Sequence, residues 1–311
     1  AVDDRSTDST GALMDSLARA HPTRLTVLHI TQLPPNYLGK THAMALAARH
    51  ALATTAPPNF LLFTDADILF DPSILRRALA FAEASHAAHL VTLPTTIARS
   101  PGEPMLLAFL QTMSLWALRP WRVPDPRASR DAVGVGAFNL IRSSTYLQLG
   151  GFEAAPLEIL EDLALGRRVK AAHLPQRVAF APEMVSVHWA PGIFGVLHNM
   201  TKNVFAVFRF NPFLLLGAAL WLTLFCVVPV AFLALPGTRI PAVLTFAAAA
   251  GLYLLSSRTS RLSPWNAVFL PIAATLVVYS MLRSMLITLA RGGVTWRGTF
   301  YPLATLRRPP R

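Results

Sequence analysis

Acidic side chains are missing from the last part of this sequence. Residues 184–311 contain no aspartate or glutamate, although the chain of 311 residues has 16 of them. Only 14% of all residues are charged and 53% are hydrophobic, which is apolar for a water-soluble domain. The front of the chain has the composition of a soluble domain, and the back is apolar with scattered basic residues. We therefore expect two regions in different surroundings.

Cysteine is almost absent as well. The single Cys226 lies inside an apolar run, so a disulfide framework or a thiol metal site within this chain is excluded. The net charge of +12 raises the possibility of nucleic acid, but the basic residues stand in short loops between apolar runs. That distribution is typical of cytoplasmic loops near anionic lipid headgroups. We expect no nucleic-acid partner.

Strand and helix patterns alternate through the front of the chain. RLTVLHI (24–30), FLLFTDAD (60–67) and HLVTLPTT (89–96) read as strands, with helix patterns at 40–52 and 71–85. The run at 60–67 is apolar without alternation, which is typical of a strand buried on both faces. We expect an α/β fold, with a mostly parallel sheet flanked by helices. No leading strand precedes Ala1, and we expect a further segment upstream.

The apolar runs of the second half predict membrane spans. Three runs follow one another at 213–235, 241–257 and 265–290, and the first is the strongest candidate by length. Arg283 in the third run would cost about 2.5–3.5 kcal/mol at mid-membrane, so we expect it near an end of the span. An earlier helix pattern rich in Met, Phe and Trp, within residues 97–133, fits the core or a membrane interface equally well.

These patterns divide the chain into four regions. We expect a domain at 1–192, an interfacial amphipathic segment at 193–212, a transmembrane region at 213–290 and a basic tail at 291–311. Three spans would separate the tail from the front domain, whereas its five arginines favour the cytoplasmic side. Either one segment is re-entrant or interfacial, or the tail departs from the rule.

Two aspartates mark the end of the strand at 60–67. Asp65 and Asp67 are two positions apart, so on a strand their side chains point to one face, at the edge where open α/β sheets bind ligands. A hard divalent cation, completed by waters and substrate phosphates, relieves the repulsion between two such carboxylates. The pattern favours Mg²⁺ or Mn²⁺ with a diphosphate, while Asp65 also fits a turn residue. We assign Asp71 as the helix cap before Pro72.

Three further motifs carry charge at the ends of predicted elements. Asp3 and Asp4 end another strand. Lys40 begins a helix, where its ammonium group and the free backbone amides can bind an anion. Glu161 and Asp162 open a helix in LEDLALGRR, where negative charge is also favourable without any catalytic role.

With the turn GAF at 136–138, these motifs come in the order and spacing of the family 2 glycosyltransferases. Residues 1 to about 210 resemble that family, which implies a GT-A type fold like that of nucleotide-diphospho-sugar transferases. The C-terminal apolar runs and GGVTWRG are similar to membrane-bound members that act on lipid-type acceptors. The resemblance implies an integral protein of a bacterial inner membrane, with its catalytic domain on the cytoplasmic side.

The resemblance also implies roles for the donor side of the site. Asp3 and Asp4 would hold the base and ribose of a nucleotide-diphosphate sugar, and Lys40 would lie near the nucleotide. Asp65 would lie near the ribose and the donor sugar, and Asp67 would be the more direct ligand of Mg²⁺ or Mn²⁺. The family's first strand supports the base, so a chain without it is expected to bind its donor poorly.

The remaining motif residues belong to the acceptor side by the same resemblance. Gly136, Ala137 and Phe138 would line it. Asp162 would be the general base, and Glu161 would orient the site or cap its helix. The function implied is an inverting, metal-dependent transfer of sugar, from a UDP-linked donor as the first choice, to a lipid or lipid-linked acceptor. The alternatives are an inactive membrane-tethered homologue that binds nucleotide sugar, and a nucleotidyltransferase.

One departure from the family concerns the segment before the first span. The Q/R-x-x-R-W signature of processive synthases is absent from VLHNMTKNVFAVFRFNP, which favours the addition of one sugar. His198, Lys202 and Arg209 fit contacts with a diphosphate or with lipid headgroups, and a basic interfacial helix fits them equally well. His188 and Trp189 would face the acceptor or belong to a packed loop.

Overall fold

The computed structural model describes residues 1–296 and 298–307, except for the side chains of Lys202 and Trp296. Arg297 and 308–311 of the predicted basic tail, and the predicted contact of Lys202, therefore lie outside the described residues. The strands are β1 Val2–Asp4, β2 Leu28–Ile30, β3 Phe60–Phe63, β4 Ile68–Phe70, β5 His89–Leu93, β6 Thr95–Thr96, β7 Asn139–Arg142, β8 Gln176–Phe180, β9 Val185–Val187, β10 Gly293–Trp296 and β11 Thr299–Pro302. The helices are α1 Thr10–Ala20, α2 Gly39–Leu52, α3 Ile74–Ala84, α4 Glu103–Leu118, α5 Ser143–Gln148, α6 Glu161–Ala171, α7 Gly192–Val207, α8 Pro212–Leu222, α9 Pro229–Phe232, α10 Arg239–Ser260, α11 Leu270–Arg291 and α12 Leu303–Leu306.

The sheets of the front domain are mixed. The central sheet has the order β3-β7-β5-β8, in which β7 runs antiparallel to both of its neighbours and β5 runs parallel to β8. A second sheet has the order β4-β9-β6, and β1 pairs with β2 in parallel. The α/β alternation is as predicted, and so is the mostly parallel central sheet, because β3, β5 and β8 run in one direction and only β7 is reversed. Strand β7 inserts in the reverse direction between β3 and β5, and local sequence patterns do not encode such distant pairing.

Strand β3 is packed on both faces, as its apolar sequence predicts. Leu61 and Phe63 lie in a core cluster with α2 and α6, and Leu62 packs on the opposite face against α3. Successive side chains of a strand point to opposite faces, so a strand between two helical layers needs apolar residues at every position. This packing fixes the end of β3, which is where the acidic motif begins.

The helix pattern within residues 97–133 forms α4, which packs against the C-terminal helices. Leu106 and Phe109 are buried in the same cluster as residues of α10 and α11. Thr112 Oγ1 lies 2.8 Å from Ser256 Oγ of α10. Helix α4 thus joins the front domain to the apolar region.

Within the part of the chain that the structure describes, three helical segments are long and apolar enough to cross a membrane: Pro212–Phe232, Arg239–Ser260 and Pro264–Arg291. The first includes a π-helical turn at Thr223–Val227 just before Pro229, and proline has no N–H to continue a regular ladder.

The third of these segments also contacts the front domain through α7. Arg283 Nη1 donates to Thr201 Oγ1 at 3.1 Å, and the backbone N–H of Phe205 donates to Ser284 Oγ at 3.2 Å. Arg283 therefore has a polar partner on α7.

Candidate active site

The acidic motif lies in the turn between β3 and β4. Asp65 and Asp67 follow the last residue of β3, so they are placed by the turn and not by the strand on which we expected them. The N–H of Asp65 donates to the carbonyl of Gly136 at 2.9 Å, and Thr64 Oγ1 donates to the carbonyl of Ala137 at 3.0 Å. The turn is therefore held against the glycine-containing loop that precedes β7.

Lys40 bridges two of the motifs. Its Nζ lies 2.6 Å from Asp65 Oδ1 and 2.7 Å from Glu161 Oε1. Burial alone would lower the pKa of Lys40, but the carboxylates of Glu161 and Asp65 outweigh burial and raise it. Thr41 Oγ1 donates to the carbonyl of Pro156 at 2.6 Å, which ties the start of α2 to the loop before α6. The lysine is thus fixed between the two acidic motifs.

Glu161 and Asp162 form the first turn of α6. Burial raises the pKa of Glu161 to about 7, although the ammonium group of Lys40 opposes that shift. Burial also raises the pKa of Asp162; Lys40 opposes the shift and Asp65 adds to it. Asp162 Oδ1 accepts from the N–H of Leu163 at 2.7 Å. A carboxylate with a raised pKa takes up a proton more readily than an ordinary aspartate, which suits a general base.

Two glycines allow the loop before β7 to approach both acidic motifs. A Cβ at Gly136 would stand 2.5 Å from Asp65 Oδ2, and a Cβ at Gly134 would overlap the carbonyl of Asp162. Any other side chain at these positions would push the carboxylates or the start of α6 away. The sequence suggested only Gly136 for the site, and the need for Gly134 arises from contacts distant in sequence.

A cavity of about 530 Å³ brings the charged motifs together with an apolar wall. One end carries the predicted site residues Lys40, Asp65, Asp67, Gly136, Ala137, Glu161 and Asp162. The other end is lined mainly by aliphatic residues of α4, of β8 and of the loop before β7. It extends to Asn203 of α7 and to Thr259 and Ser260 at the end of α10. The cavity thus combines a charged part with an apolar part, here called the apolar channel, beside the C-terminal helices.

Three predicted site residues do not line this cavity. Phe138 is fully buried in the core and contacts Phe70 edge to face, so its side chain does not reach the cavity and its acceptor role stays a prediction. Asp3 accepts from the N–H of Ser6 and contacts His29 Nδ1, each at 3.1 Å. Asp4 pairs with Arg5 at 2.9 Å beside the first residue of α2. The roles of Asp3 and Asp4 with a nucleotide stay predictions.

Of the two aromatic candidates before α7, the structure places only one in the cavity. Trp189 lines it, whereas His188 Nε2 lies 3.4 Å from Glu103 Oε2. Glu103 also accepts from the N–H of Arg99 and from Ser100 Oγ, each at 2.7 Å.

Glu103 is a buried acid that we did not single out from the sequence. Burial would raise its pKa, but its hydrogen bonds, including those from Arg99 and Ser100, lower the pKa to about 2. The carboxylate also accepts from the N–H of Gly192 at 2.5 Å, which ties the start of α4 to that of α7. The S-x-x-E spacing of Ser100 and Glu103, which is typical of a capping box, was the sequence pattern that could have identified Glu103.

The residues at the charged end fit a divalent cation that is shared with phosphate. Within residues 1–296 and 298–307, no group of three or more His, Cys, Asp or Glu lies together as a complete metal site. Magnesium commonly takes only one or two carboxylates and completes its shell with waters and substrate phosphates. Asp65 and Asp67 offer such oxygen ligands, and Asp67 has an exposed carboxylate at the cavity.

A family model and several solved structures match this chain. A family model described as "Glycosyltransferase like family 2" matches residues 1–209. No curated protein matches the chain. Among solved structures, S. aureus TarS is 17% identical with a TM-score of 0.40; the match covers 68% of this chain and 33% of TarS, so the chain spans a third of that protein. TarS 1–349 in complex with UDP-GlcNAc is 14% identical with a TM-score of 0.40, covering 97% of this chain and 86% of that one.

Proposed function

The chain belongs to glycosyltransferase-like family 2, and from this premise we propose that it transfers one sugar from a nucleotide-diphosphate donor to a lipid or lipid-linked hydroxyl. It is a glycosyltransferase with the GT-A type α/β fold expected from its sequence. The finer proposal specifies a UDP-linked donor, inversion at the sugar carbon and a divalent cation. The observation that carries it is the convergence of Lys40, Asp65, Asp67 and Asp162 on one cavity.

Asp162 is the proposed general base. It lies at the charged end of the cavity, and its raised pKa brings its proton affinity closer to that needed at neutral pH. A base that takes the proton of the acceptor hydroxyl on the face opposite the departing diphosphate gives a single in-line displacement. That geometry is the reason for proposing inversion.

Asp67 and Asp65 would hold the cation. When bound, Mg²⁺ or Mn²⁺ supplies positive charge that stabilises the departing diphosphate. Lys40 already neutralises part of the charge on Asp65 at 2.6 Å, so Asp67 is the carboxylate with more capacity for the metal. Among the described residues, Asp67 makes no ion pair that would compete for it.

Replacing Asp67 by alanine is therefore expected to weaken metal-dependent binding of UDP. Loss of a direct ligand should lower the affinity at least as much as the roughly 10- to 100-fold that loss of an outer-shell partner of a metal typically costs. Calorimetric titration of the full chain with UDP, with and without Mn²⁺, measures it. Asp71→Ala is the matched control, because the Asp71 side chain bonds Ser73 in a local turn and does not line the cavity. Equal Mn²⁺-dependent binding by Asp67→Ala and the unchanged chain would refute the metal assignment.

The apolar end of the cavity supports a lipid acceptor. Helix α4 contributes Leu107, Leu110, Leu115 and Leu118 to the wall, and an apolar wall favours an apolar chain by about 25 cal/mol per Å² that it removes from water. The channel reaches the end of α10, one of the three candidate membrane helices. We therefore propose an acceptor at a membrane surface, and the family resemblance of the sequence favours the cytoplasmic side for the catalytic domain.

Filling this channel should discriminate between acceptors. Leu115→Trp is expected to lower kcat/KM at least tenfold for a long-chain lipid alcohol, because one indole displaces the chain. A short water-soluble alcohol should be affected less than twofold. Ala117→Trp on the same helix is the control, since Ala117 is exposed and lies outside the cavity lining. A parallel loss for both alcohols would argue against an acceptor channel.

The function as a whole is tested by donor turnover. The full-length protein in membranes, incubated with labelled UDP sugars, Mn²⁺ and a lipid extract, should yield a newly glycosylated lipid detected by mass spectrometry. UDP release without a glycosylated product would point to another acceptor class. Binding of UDP sugars without any turnover would favour the inactive homologue.

A further inference from the structure

A second cavity, of about 570 Å³, lies outside the site described above. It is lined by Ser129, Arg130, Arg167, Val207, Phe208, Arg209 and Leu214. Three arginines from three different parts of the chain meet there: the loop after α4, helix α6, and the turn between α7 and α8. None of its lining residues belongs to the lining of the catalytic cavity.

The cavity concentrates positive charge with little to balance it. Within the described part of the chain, none of the three arginines has an ion-pair partner within 4.0 Å. Burial and the neighbouring charge of Arg209 lower the pKa of Arg167, and Glu158 opposes them. Burial raises the pKa of Glu158 despite both arginines, so this single acid is a weak counterion. An anion bound in the cavity would offset the electrostatic repulsion among the three arginines.

The backbone at this cavity is also held in an uncommon conformation. Arg209 and Phe210 both adopt positive φ angles, of 52° and 55°, although neither is glycine. Arg307 Nη2 donates to the carbonyl of Phe210 at 2.7 Å, and the Asn211 side chain caps the next helix. The sharp turn directs the chain from α7 into α8 and brings Arg209 to the cavity.

The remaining walls are apolar and belong to the start of the first candidate span. Leu214 is the third residue of Pro212–Phe232, and Val207 and Leu214 are exposed. A ligand here would place its anionic group among the arginines and its apolar part beside α8. Arginine suits phosphate because its planar fork donates two parallel hydrogen bonds. A free inorganic anion would leave the apolar wall uncovered.

We propose that Arg130, Arg167 and Arg209 bind the phosphate headgroup of an anionic membrane phospholipid at the start of α8. The proposal rests on the membrane placement proposed above, but not on the transfer reaction. Arg167 lies five residues after Asp162 on α6, about 7.5 Å along the helix axis. The bound lipid would therefore fix the catalytic helix relative to the membrane surface.

Lipid retention by the full-length protein tests this site without donor or acceptor. The protein in neutral detergent is mixed with equal amounts of phosphatidylglycerol and phosphatidylcholine, and retained lipid is counted by native mass spectrometry. Each basic residue near an anionic surface contributes about fivefold, so Arg167→Gln with Arg209→Gln should weaken phosphatidylglycerol retention roughly 25-fold. Arg76→Gln with Arg77→Gln, two exposed arginines of α3, removes the same charge and should leave retention unchanged.

Three further measurements distinguish a bound phospholipid from a free anion and from a general effect of charge. Arg130→Gln, at an exposed position where folding should tolerate the change, should weaken retention about fivefold, which tests the site even if the double variant fails to fold. Inorganic phosphate at equal concentration should not displace the lipid; displacement would overturn the lipid assignment. Equal retention of both lipids, or equal loss in the α3 control, would overturn it too. If the protein does not float with neutral lipid vesicles, the proposed membrane placement is wrong, and so is this lipid site.

Discussion

Replacing Asp162 by asparagine is expected to lower the rate of sugar transfer about 10²- to 10⁴-fold, the range for a lost general base. Asparagine has nearly the same shape and keeps an oxygen that can accept from the N–H of Leu163, as Oδ1 does at 2.7 Å. It cannot take up a proton, however. Donor affinity should stay within a few-fold, because the proposed donor contacts belong to Lys40, Asp65 and Asp67.

Initial rates and UDP titrations on the same preparation separate these two effects. Asp71→Asn is the matched control, because it makes the same chemical change at an aspartate whose side chain bonds Ser73 in a local turn. Its rate should match that of the unchanged chain. If Asp162→Asn retained transfer, the base would have to be another group. If it lost donor binding equally, Asp162 would belong to the donor site.

Local sequence patterns were sufficient for the elements that carry the site. The apolar run before Asp65, the start of α2 at Lys40 and the start of α6 at Glu161 all follow from periodicity and end signals. Open α/β sheets bind ligands where their strands end, which predicts that Lys40, Asp65 and Glu161 meet at one site. The cavity does contain all three. Their chemical roles stay predictions.

What the sequence did not provide are contacts between distant segments. The reversal of β7 between β3 and β5 depends on pairing over dozens of residues, and the apolar pattern of β7 is the same in either direction. Phe138 was assigned to the acceptor from its place in a motif, yet its side chain points into the core. The double contact of Lys40 with Asp65 and Glu161 is likewise a product of three elements that meet only after folding.

That double contact leads to the second large effect. Lys40→Met should move the acidic limb of the pH–rate profile to higher pH, because a nearby positive charge favours the ionised form of a carboxyl group. The ammonium group of Lys40 lowers the pKa of both Glu161 and Asp162. Without it, Asp162 holds its proton to higher pH and cannot act as a base there. Lys40→Arg should return the limb towards that of the unchanged chain, because the charge is restored.

The Lys40→Met variant should also lose stability, relative to the unchanged chain, as the pH rises. Burial already places the pKa of Glu161 at about 7, above its ordinary value of 4.5, so between these values the folded state binds more protons than the unfolded state. The stabilisation that this extra proton gives the folded state is fully present below the pKa of Glu161 in the unfolded chain. It is lost as the pH rises through the pKa of Glu161 in the folded protein. Removing Lys40 raises the folded pKa further and leaves the carboxylates without a counterion once they ionise. The variant should therefore melt close to the unchanged chain at pH 5 and well below it at pH 8, and equal melting at both would exclude a structural role for the lysine.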